Sequence, residues 1–277
     1  MNIGQLRDDI RYSVTQKLTK KMWLTEENLY FYILLIYLIF APLNLVLVRH
    51  VVVPYGKHRS PGWGPSIPSP VGWFLMESPT IWFSLLMFPT GRHSTDLRAV
   101  LLMAPFLIHY MHRTLIYPAR LYFNMSGKKD PGMYLAVVAS AFGYNLVNSY
   151  LQVRWVSHYK ADYGDFWCKF IGGTVVFAVG MWANVWADVV LVRLKKQSGG
   201  YVIPRGGLFE LVSCPNFLGE IIEWLAWAVM TWSWSGFAFF LNTCVCLVAR
   251  AIATHTWYVE KFEDYPRQRK AVLPFLY

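Results

Sequence analysis

The chain has 277 residues, of which 55% are hydrophobic and only 15% are charged, and its mean hydropathy is +0.31. A soluble domain carries about 25% charged residues, so this composition excludes an ordinary soluble protein and indicates one membrane domain. The net charge of +10 is attributed to basic loops at the cytoplasmic face of a membrane, not to nucleic-acid binding. The 17% aromatic content suits membrane–water interfaces.

The four cysteines, Cys168, Cys214, Cys244 and Cys246, all lie in the second half of the chain. Cys244 and Cys246 are two positions apart, so they point in different directions on a helix. Their spacing matches neither a disulfide framework nor a metal-binding motif. We therefore predict no metal site.

Residues 1–28 predict an amphipathic helix that lies on the membrane surface. Apolar residues recur every three or four positions, and basic residues fill the other faces. A soluble arm packed on a loop is the alternative. The apolar positions are Ile3, Leu6, Ile10, Val14, Leu18 and Met22.

Seven apolar segments follow, each close to the roughly 20 residues that a helix needs to cross a membrane. They predict an all-α fold over residues 29–277, a polytopic membrane bundle of about seven transmembrane helices. The last two segments are separated only by Ser233–Gly236, which predicts a tight hairpin. The segments lie near residues 29–48, 73–90, 99–118, 133–155, 166–192, 217–235 and 236–258.

The basic residues of the loops predict the orientation of this bundle. With seven spans, loops one, three and five share a side with the C-terminus, and that side carries most of the Lys and Arg residues of the loops. The positive-inside rule therefore places the C-terminus in the cytoplasm. We predict a multi-pass integral membrane protein, of the endoplasmic reticulum in a eukaryote or of the inner membrane in a bacterium.

Polar residues form stripes inside five consecutive segments, and Glu77 lies in the segment before them. The members of each stripe are spaced so that they share one helical face. A charged side chain at the bilayer centre costs at least about 2.5–3.5 kcal/mol, so such residues usually face an interior cavity. The stripes are Tyr110, Arg113 and Tyr117; Asn145, Asn148 and Gln152; Asn184, Asp188 and Lys195; Asn216, Glu220 and Glu223; and Arg250, Thr254 and Tyr258.

The stripes suggest a ligand with phosphates for Arg113, Lys195 and Arg250, and with amide or hydroxyl groups for the others. A single stripe could merely join helices by hydrogen bonds, and a transporter would also line a path in this way. We find no internal repeat of the kind that transporters tend to have. The dinucleotide fingerprint G-x-G-x-x-G is absent, so a nucleotide cofactor would have to bind the helical stripes.

Specific motifs narrow these possibilities. They are Gly206-Gly207-Leu208-Phe209, Asn216-Phe217-Leu218-Gly219-Glu220-Ile221-Ile222-Glu223-Trp224, Phe262-Glu263-Asp264-Tyr265-Pro266, Trp73-Phe74-Leu75-Met76-Glu77, His109-Tyr110-Met111-His112-Arg113-Thr114 and, as a weaker match, Tyr55-Gly56-Lys57-His58. Through these motifs the chain resembles the steroid 5α-reductase family, the 3-oxo-5α-steroid 4-dehydrogenases. The resemblance implies a seven-helix membrane enzyme, with a catalytic and cofactor half at about residues 133–277. Such an enzyme binds NADPH between its helices and reduces the C4–C5 double bond of a 3-oxo-Δ4 steroid.

The resemblance also implies roles for individual residues. Glu77 and Tyr110 match the catalytic pair that hydrogen-bonds the C3 carbonyl of the steroid. Met76 stands where the steroid enzymes have Gln. Positions that surround or support NADPH are matched by Arg113, Tyr117, Asn184, Asp188, Asn216, Glu220, Arg250 and Tyr258.

Three departures from the family pattern concern the cofactor site. Lys195 replaces a phosphate-binding Arg, which keeps the charge but loses the bidentate fork. Val202 follows Tyr201 where an Arg is expected, and Thr254 replaces a His, with His255 beside it. We include Lys195, Tyr201 and His255 among the expected cofactor-binding residues.

The implied chemistry requires a stabilised enolate oxygen while hydride adds to C5 and a proton adds to C4. Tyr110 can donate its hydroxyl proton, whereas Glu77 can donate only as the carboxylic acid, a form that an apolar setting favours. We expect a testosterone- or progesterone-like substrate and a monomeric protein. Side chains expected around the steroid, although the aromatic ones could equally face lipid, are Trp73, Phe74, Met76 and Phe142.

Three alternatives stay open at this level. A related membrane reductase would act on a polyprenol, an enoyl-CoA or another sterol double bond. A membrane methyltransferase would use S-adenosylmethionine and would not need Glu77. A transporter or non-catalytic lipid-binding protein would bind steroid without consuming NADPH.

Overall fold

The computed structural model describes residues 25–48, 50–124, 130–160 and 162–275 of the chain. It is mostly helical. The nine α-helices of this described part are α1 (Glu26–Leu47), α2 (Ser69–Glu77), α3 (Pro79–Met87), α4 (Leu97–Met111), α5 (Tyr117–Phe123), α6 (Leu135–Arg154), α7 (Phe166–Ser198), α8 (Pro215–Thr231) and α9 (Trp234–Lys261). Most of the N-terminal arm predicted over residues 1–28 lies outside the described residues.

Five helical segments of the described chain are long and apolar enough to cross a membrane, and two of them combine adjacent helices with the turns that join or follow them. The helices α6 and α8 coincide with the two remaining predicted segments. However, α6 is a continuous helix of 20 residues that its polar stripe makes less apolar, and α8 has only 17 residues. The helical membrane architecture is therefore supported, while the count of seven spans stays a prediction. The five segments are Glu26–Leu47, Ser69–Thr90, Leu97–Phe123, Phe166–Ser198 and Trp234–Lys261.

The first helix shows how these segments divide their faces. Its buried residues, Tyr30, Leu34, Tyr37 and Ala41, are spaced by three or four positions and therefore form one stripe. Ile36, on another face, is 67% exposed. Such a helix packs on its neighbours by one face and leaves large apolar side chains for lipid.

Prolines divide two of the predicted segments. Pro79 begins α3, and only Ser78 separates it from the end of α2 at Glu77, because proline is favoured in the first turn of a helix and disfavoured inside one. In the next segment a π-helical stretch, His112–Ile116, separates α4 from α5. Pro118 follows it and lacks the N–H that would bond four residues back, so a local widening of the helix here is expected.

Short caps and turns set the ends of the other helices. Asp96 caps α4 by accepting a hydrogen bond from the backbone of Arg98 at 2.8 Å, and Gly199 ends α7 in a left-handed conformation. The predicted hairpin between α8 and α9 is a two-residue turn at Trp232 and Ser233, slightly before the predicted position. The Ser233 hydroxyl accepts from the backbone N–H of Gly236 at 2.9 Å, and this cap starts α9.

A small antiparallel sheet joins the first turns of α2 and α6. Strand β1 (Ser66–Ile67) pairs with strand β2 (Met133–Tyr134), with Ser66 opposite Tyr134. Gly132 precedes β2 with a φ of +72°, and a Cβ there would lie 2.7 Å from the carbonyl oxygen of Ile67. This sheet fixes the loop before α2 against the bundle, close to the end where the charged side chains gather.

Candidate active site

A cleft opens between the helices at the end of the bundle that carries the C-terminus of α9. Its walls come from the loop before α2 and from parts of α2, α5, α7, α8 and α9. Most of the polar stripes predicted from the sequence contribute to it. The predicted site residues that line the cleft are Trp73, Arg113, Tyr117, Asp188, Lys195, Tyr201, Asn216, Arg250 and Tyr258.

Glu77 is the last residue of α2, beside the break before α3. The side-chain amide of Asn145, on α6, donates from Nδ2 to Glu77 Oε2 at 3.0 Å. The same nitrogen donates to the backbone oxygen of Met76 at 2.7 Å. One carboxyl oxygen of Glu77 is therefore held as an acceptor by α6.

Tyr110 is buried on α4, only 4% exposed. Its ring stacks on Trp224 with the centroids 5.6 Å apart. Its hydroxyl oxygen lies 3.5 Å from Asn148 Nδ2. Asn145 and Asn148 are three positions apart and share a face of α6, so the same helix face contacts both predicted catalytic residues.

Arg113 lies beside these residues, and two carboxylates balance its charge. Its Nη1 is 3.0 Å from Asp188 Oδ2, and its Nη2 is 3.7 Å from Glu220 Oε2. Asn216 donates to Asp188 at 3.0 Å, and Asn184 donates to Glu220 at 3.2 Å. Residues of α4–α5, α7 and α8 thus form one network, and each of them belongs to a polar stripe identified in the sequence.

Arg250 is hydrogen-bonded to the loop before α2. Its guanidinium donates to the carbonyl oxygens of Val53 and Tyr55 at 3.0 and 3.2 Å and lies 3.4 Å from the centroid of the Tyr55 ring. The residue predicted to bind a phosphate thus also fixes a wall of the cleft.

Lys57 lies in this loop and enters a group of aromatic rings. Its Nζ is 4.2 Å from the ring centroid of Tyr258, 5.2 Å from that of Trp257 and 5.6 Å from that of Tyr201. Within the described chain no carboxylate pairs with it. Burial, together with the neighbouring Arg250 charge, lowers the pKa of Lys57 to about 8.

Two further predicted cofactor residues, His255 and Tyr258, meet the C-terminal segment. His255 Nδ1 lies 2.7 Å from the Ser213 hydroxyl, which is itself 2.6 Å from the Tyr265 hydroxyl. Tyr258 stacks on Tyr265 with the centroids 5.3 Å apart. His255 thus supports the cleft from behind Ser213, which lines it.

The predicted steroid-contacting residues are not all in one place. Trp73 lines the cleft, whereas Met76 is buried against Met133 and Val138. Phe74 is 44% exposed, and Phe142 is half-buried on α6. Neither phenylalanine lines the cleft, and their contact with a steroid stays a prediction.

Three residues of the site were not assigned a role from the sequence. Lys57 belongs to the motif Tyr55-Gly56-Lys57-His58, which was the only sign of its importance. Asn145 and Asn148 were recognised as a polar stripe, but spacing along one helix cannot say which side chains of other helices they meet. Thr254 stands where a His was expected, but an imidazole is still present at this position of the site, because His58 Nε2 lies 3.2 Å from the Thr254 hydroxyl.

Comparison with known proteins agrees with the sequence motifs. The family described as 3-oxo-5-alpha-steroid 4-dehydrogenase matches residues 131–277. The chain is 55% identical to the steroid 5-alpha-reductase DET2 of Arabidopsis thaliana over 257 residues, which cover 91% of this chain and 98% of that protein. It is 50% identical to the DET2 protein of Solanum lycopersicum, over 92% of this chain and 100% of that protein. It is also 39% identical to the human 3-oxo-5-alpha-steroid 4-dehydrogenase 1, over 80% of this chain and 86% of that protein.

Proposed function

Because the chain belongs to the 3-oxo-5-alpha-steroid 4-dehydrogenase family, and is therefore an oxidoreductase of steroid metabolism, we propose that it reduces the C4–C5 double bond of a 3-oxo-Δ4 steroid. NADPH is the proposed hydride donor. The reaction takes place within a membrane, with the C-terminus in the cytoplasm. In a eukaryotic cell this membrane is the endoplasmic reticulum.

One observation carries the proposed chemistry: Glu77 and Tyr110 come from different helices and are both contacted by one face of α6. Their amide partners, Asn145 and Asn148, lie 3.0 and 3.5 Å away. Two O–H donors held in a dry interior are what the C3 carbonyl of an enone requires, because negative charge develops on that oxygen when hydride adds to C5. A transporter or lipid carrier has no need of such a pair.

The residues of the cleft also fit NADPH. Lys57 and Lys195 line the cleft and offer cations for phosphates, beside the aromatic rings of Tyr258 and Tyr201. Asn184 does not line the cleft but lies one helical turn before Asp188, and its buried Oδ1 has no hydrogen-bond partner among the described residues. A buried acceptor normally finds a donor, and the carboxamide N–H₂ of a nicotinamide would supply one.

The mechanism follows from these groups. NADPH, when bound, supplies the hydride that adds to C5. Glu77, as the carboxylic acid, and Tyr110 donate hydrogen bonds to the C3 oxygen and stabilise the enolate that forms there. A proton, taken up from solvent, then adds to C4, which restores the ketone and leaves the 5α-reduced 3-oxo steroid. Arg113 is balanced by Asp188 and Glu220 and keeps α4 joined to α7 and α8 near the reacting atoms.

The proposal is tested with the protein purified in detergent, NADPH, and either testosterone or progesterone. We expect a product heavier by two hydrogens that forms only with NADPH. Glu77→Ala and Tyr110→Phe should each lower kcat by about 10²-fold or more, the scale of one lost oxyanion donor, with NADPH affinity unchanged.

Leu85→Ala is a suitable control, since this side chain is 57% exposed on α3 and should leave kcat unaltered. Full activity of Glu77→Ala would remove the catalytic assignment. Steroid binding without NADPH consumption would instead point to a carrier.

A further inference from the structure

A line of fully buried polar side chains leads from α8 to Tyr110, and it begins at a group that can only donate. The indole Nε1 of Trp227 donates to Gln152 Oε1 at 2.9 Å. Trp227 is 0% exposed and Gln152 is 1% exposed. An indole N–H can donate a hydrogen bond but cannot accept one. The oxygen of the Gln152 amide must therefore face Trp227, and its NH₂ group must face the other way.

The NH₂ group of Gln152 has two acceptors. It donates to the backbone oxygen of Ser235 at 2.9 Å and to Asn148 Oδ1 at 3.1 Å. A backbone carbonyl can only accept, so this second contact fixes the same orientation of Gln152 independently. The oxygen end of the amide thus faces a group that can only donate, and the nitrogen end faces a group that can only accept.

The orientation of the Gln152 amide in turn determines that of the Asn148 amide. Asn148 is 0% exposed. Because its Oδ1 accepts from Gln152, and lies 3.2 Å from the hydroxyl of Tyr37, its NH₂ group must face Tyr110. The Tyr110 oxygen is therefore an acceptor toward Asn148 at 3.5 Å. A hydroxyl has one hydrogen, and the O–H bond of Tyr110 is left to point away from Asn148.

Asn145 acts on Glu77 in the same way. The backbone oxygen of Met76 accepts from Asn145 Nδ2, and this fixes which end of the amide faces α2. The same nitrogen donates to Glu77 Oε2 at 3.0 Å, so Oε2 is the acceptor oxygen of the carboxyl group. A proton on Glu77 then belongs on Oε1.

We propose that Asn145 and Asn148 are positioning residues that turn the O–H bonds of Glu77 and Tyr110 toward the C3 oxygen of the substrate. The chain of Trp227 and Gln152 sets the direction of Asn148. This inference rests on the proposed function, because it assumes that the two residues donate to a ketone. It adds that the direction of each hydrogen bond matters. If the amide of Asn148 were reversed, its oxygen would accept the Tyr110 hydrogen, and Tyr110 would present only lone pairs to the substrate.

Asn148→Asp tests the direction at constant size. In its ionised form the introduced aspartate has an oxygen in place of Nδ2, and this oxygen accepts the Tyr110 hydrogen, so Tyr110 can no longer donate to the ketone. We expect kcat to fall by about 10²-fold, as for Tyr110→Phe, with NADPH affinity unchanged. In the Tyr110→Phe background, Asn148→Asp should add almost nothing, which is the non-additivity of a shared interaction.

Asn242→Asp is a matched control. Asn242 is also 0% exposed and donates to backbone oxygens of Tyr37 and Ala238 at 3.1 and 2.9 Å. Its replacement introduces the same buried carboxyl group, so it should lower thermal stability without lowering kcat in the protein that remains folded. Gln152→Met is a neutral second variant, which removes the NH₂ group that donates to Asn148 Oδ1 and should lower kcat several-fold even if Asn148→Asp does not fold.

A spectroscopic measurement reports the direction itself. A steroid labelled with ¹³C at C3 has a carbonyl stretch that shifts to lower frequency when the oxygen accepts hydrogen bonds. We expect that shift to be reduced in Asn148→Asp, and in Gln152→Met to a smaller extent. An unchanged stretch and a kcat within about twofold of the parent in Asn148→Asp would refute the positioning role alone, whereas full activity of Tyr110→Phe would remove the proposed catalytic pair as well.

Discussion

Lys57 places its ammonium group against aromatic rings instead of a carboxylate. At pH 7 it is charged, and a phosphate of NADPH would give it an anionic partner. Because burial lowers the pKa of Lys57 to about 8, the free protein loses this charge as the pH rises through that value. The 2′-phosphate of NADPH has a second pKa of about 6, so the charge of this phosphate is nearly constant above pH 7.

NADPH affinity should therefore fall between pH 7 and pH 9.5 by about tenfold, the scale of one charge-assisted hydrogen bond. Lys57→Arg should keep the affinity constant with pH, and Lys57→Met should be weak throughout. Fluorescence titration of NADPH at each pH measures this. An equally steep decline in Lys57→Met would assign the proton to another group.

The same depressed pKa has an effect of opposite sign on folding. Between about pH 8 and the ordinary lysine value near 10.4, the unfolded chain holds a proton that the folded chain has released. Stability of the free protein with respect to this group therefore rises with pH. NADPH binding and folding thus respond to Lys57 in opposite directions.

Arg113 illustrates what residue spacing can and cannot predict. The positions of Tyr110, Arg113 and Tyr117 predicted one interior face, and the cleft includes two of these residues. The phosphate-binding role suggested for Arg113 is less direct, because its charge is balanced by Asp188 and Glu220. Spacing within a helix defines a face, but the partner on another helix depends on tertiary packing.

Helices α7 and α8 approach each other closely enough for their backbones to touch. A Cβ added to Gly219 would lie 2.5 Å from the Asn184 nitrogen and from the Gly180 oxygen. Small residues allow such contact between membrane helices. This approach brings Asp188 on α7 within hydrogen-bonding distance of Asn216 on α8.

Gly219→Ala should therefore separate the two helices. We expect a destabilisation of about 1–3 kcal/mol, as for other overpacked sites, and a fall in NADPH affinity of about tenfold or more, because a small displacement misaligns the binding groups. Gly172→Ala is the matched control on α7, since no atom lies within 4 Å of its added Cβ. Thermal midpoints in detergent and NADPH titrations distinguish them, and equal behaviour of the two variants would contradict a specific contact at Gly219.

At the scale of helices, hydropathy predicted where each segment lies but not how it is divided. The segment near 73–90 is broken between Glu77 and Pro79, and the segment near 99–118 contains the π-helical stretch before Pro118. Both irregularities adjoin predicted catalytic residues, Glu77 and Tyr110. Proline signals a break, but the sequence does not specify whether a helix stops, bends or widens there.

At the scale of the whole molecule, the cleft and the basic loops are at the same end. The loop before α2, the end of α7 and the last turns of α9 all line the cleft, and these lie next to loops one and five and the C-terminal tail. The positive-inside rule assigns this end to the cytoplasm. A soluble, anionic cofactor would then reach the cleft from the cytoplasm without crossing the membrane.

Cysteine labelling tests this orientation and the number of crossings together. Seven spans place Tyr122→Cys and Glu263→Cys on the cytoplasmic side and Cys168 on the other. All three positions are exposed, while Cys214 is buried and burial raises the pKa of its thiol to about 11, which suppresses its reaction. In sealed, cytoplasm-out vesicles a membrane-impermeant maleimide should modify the first two positions and should modify Cys168 only after permeabilisation, with labelled peptides identified by mass spectrometry.

Each departure from this pattern has a separate structural meaning. Only α6 lies between Tyr122 and Cys168 as a crossing segment, whereas α7, α8 and α9 lie between Cys168 and Glu263. Labelling of Cys168 alone would reverse the orientation and place the cleft away from the cytoplasm. Labelling of all three positions would mean that α6 does not cross the membrane. One of the helices α7 to α9 would then not cross either, and α8, with only 17 residues, is the foremost candidate. The bundle would then have five spans, and the polar stripes of α6 and α8 would reach the active site from helices that end inside the protein.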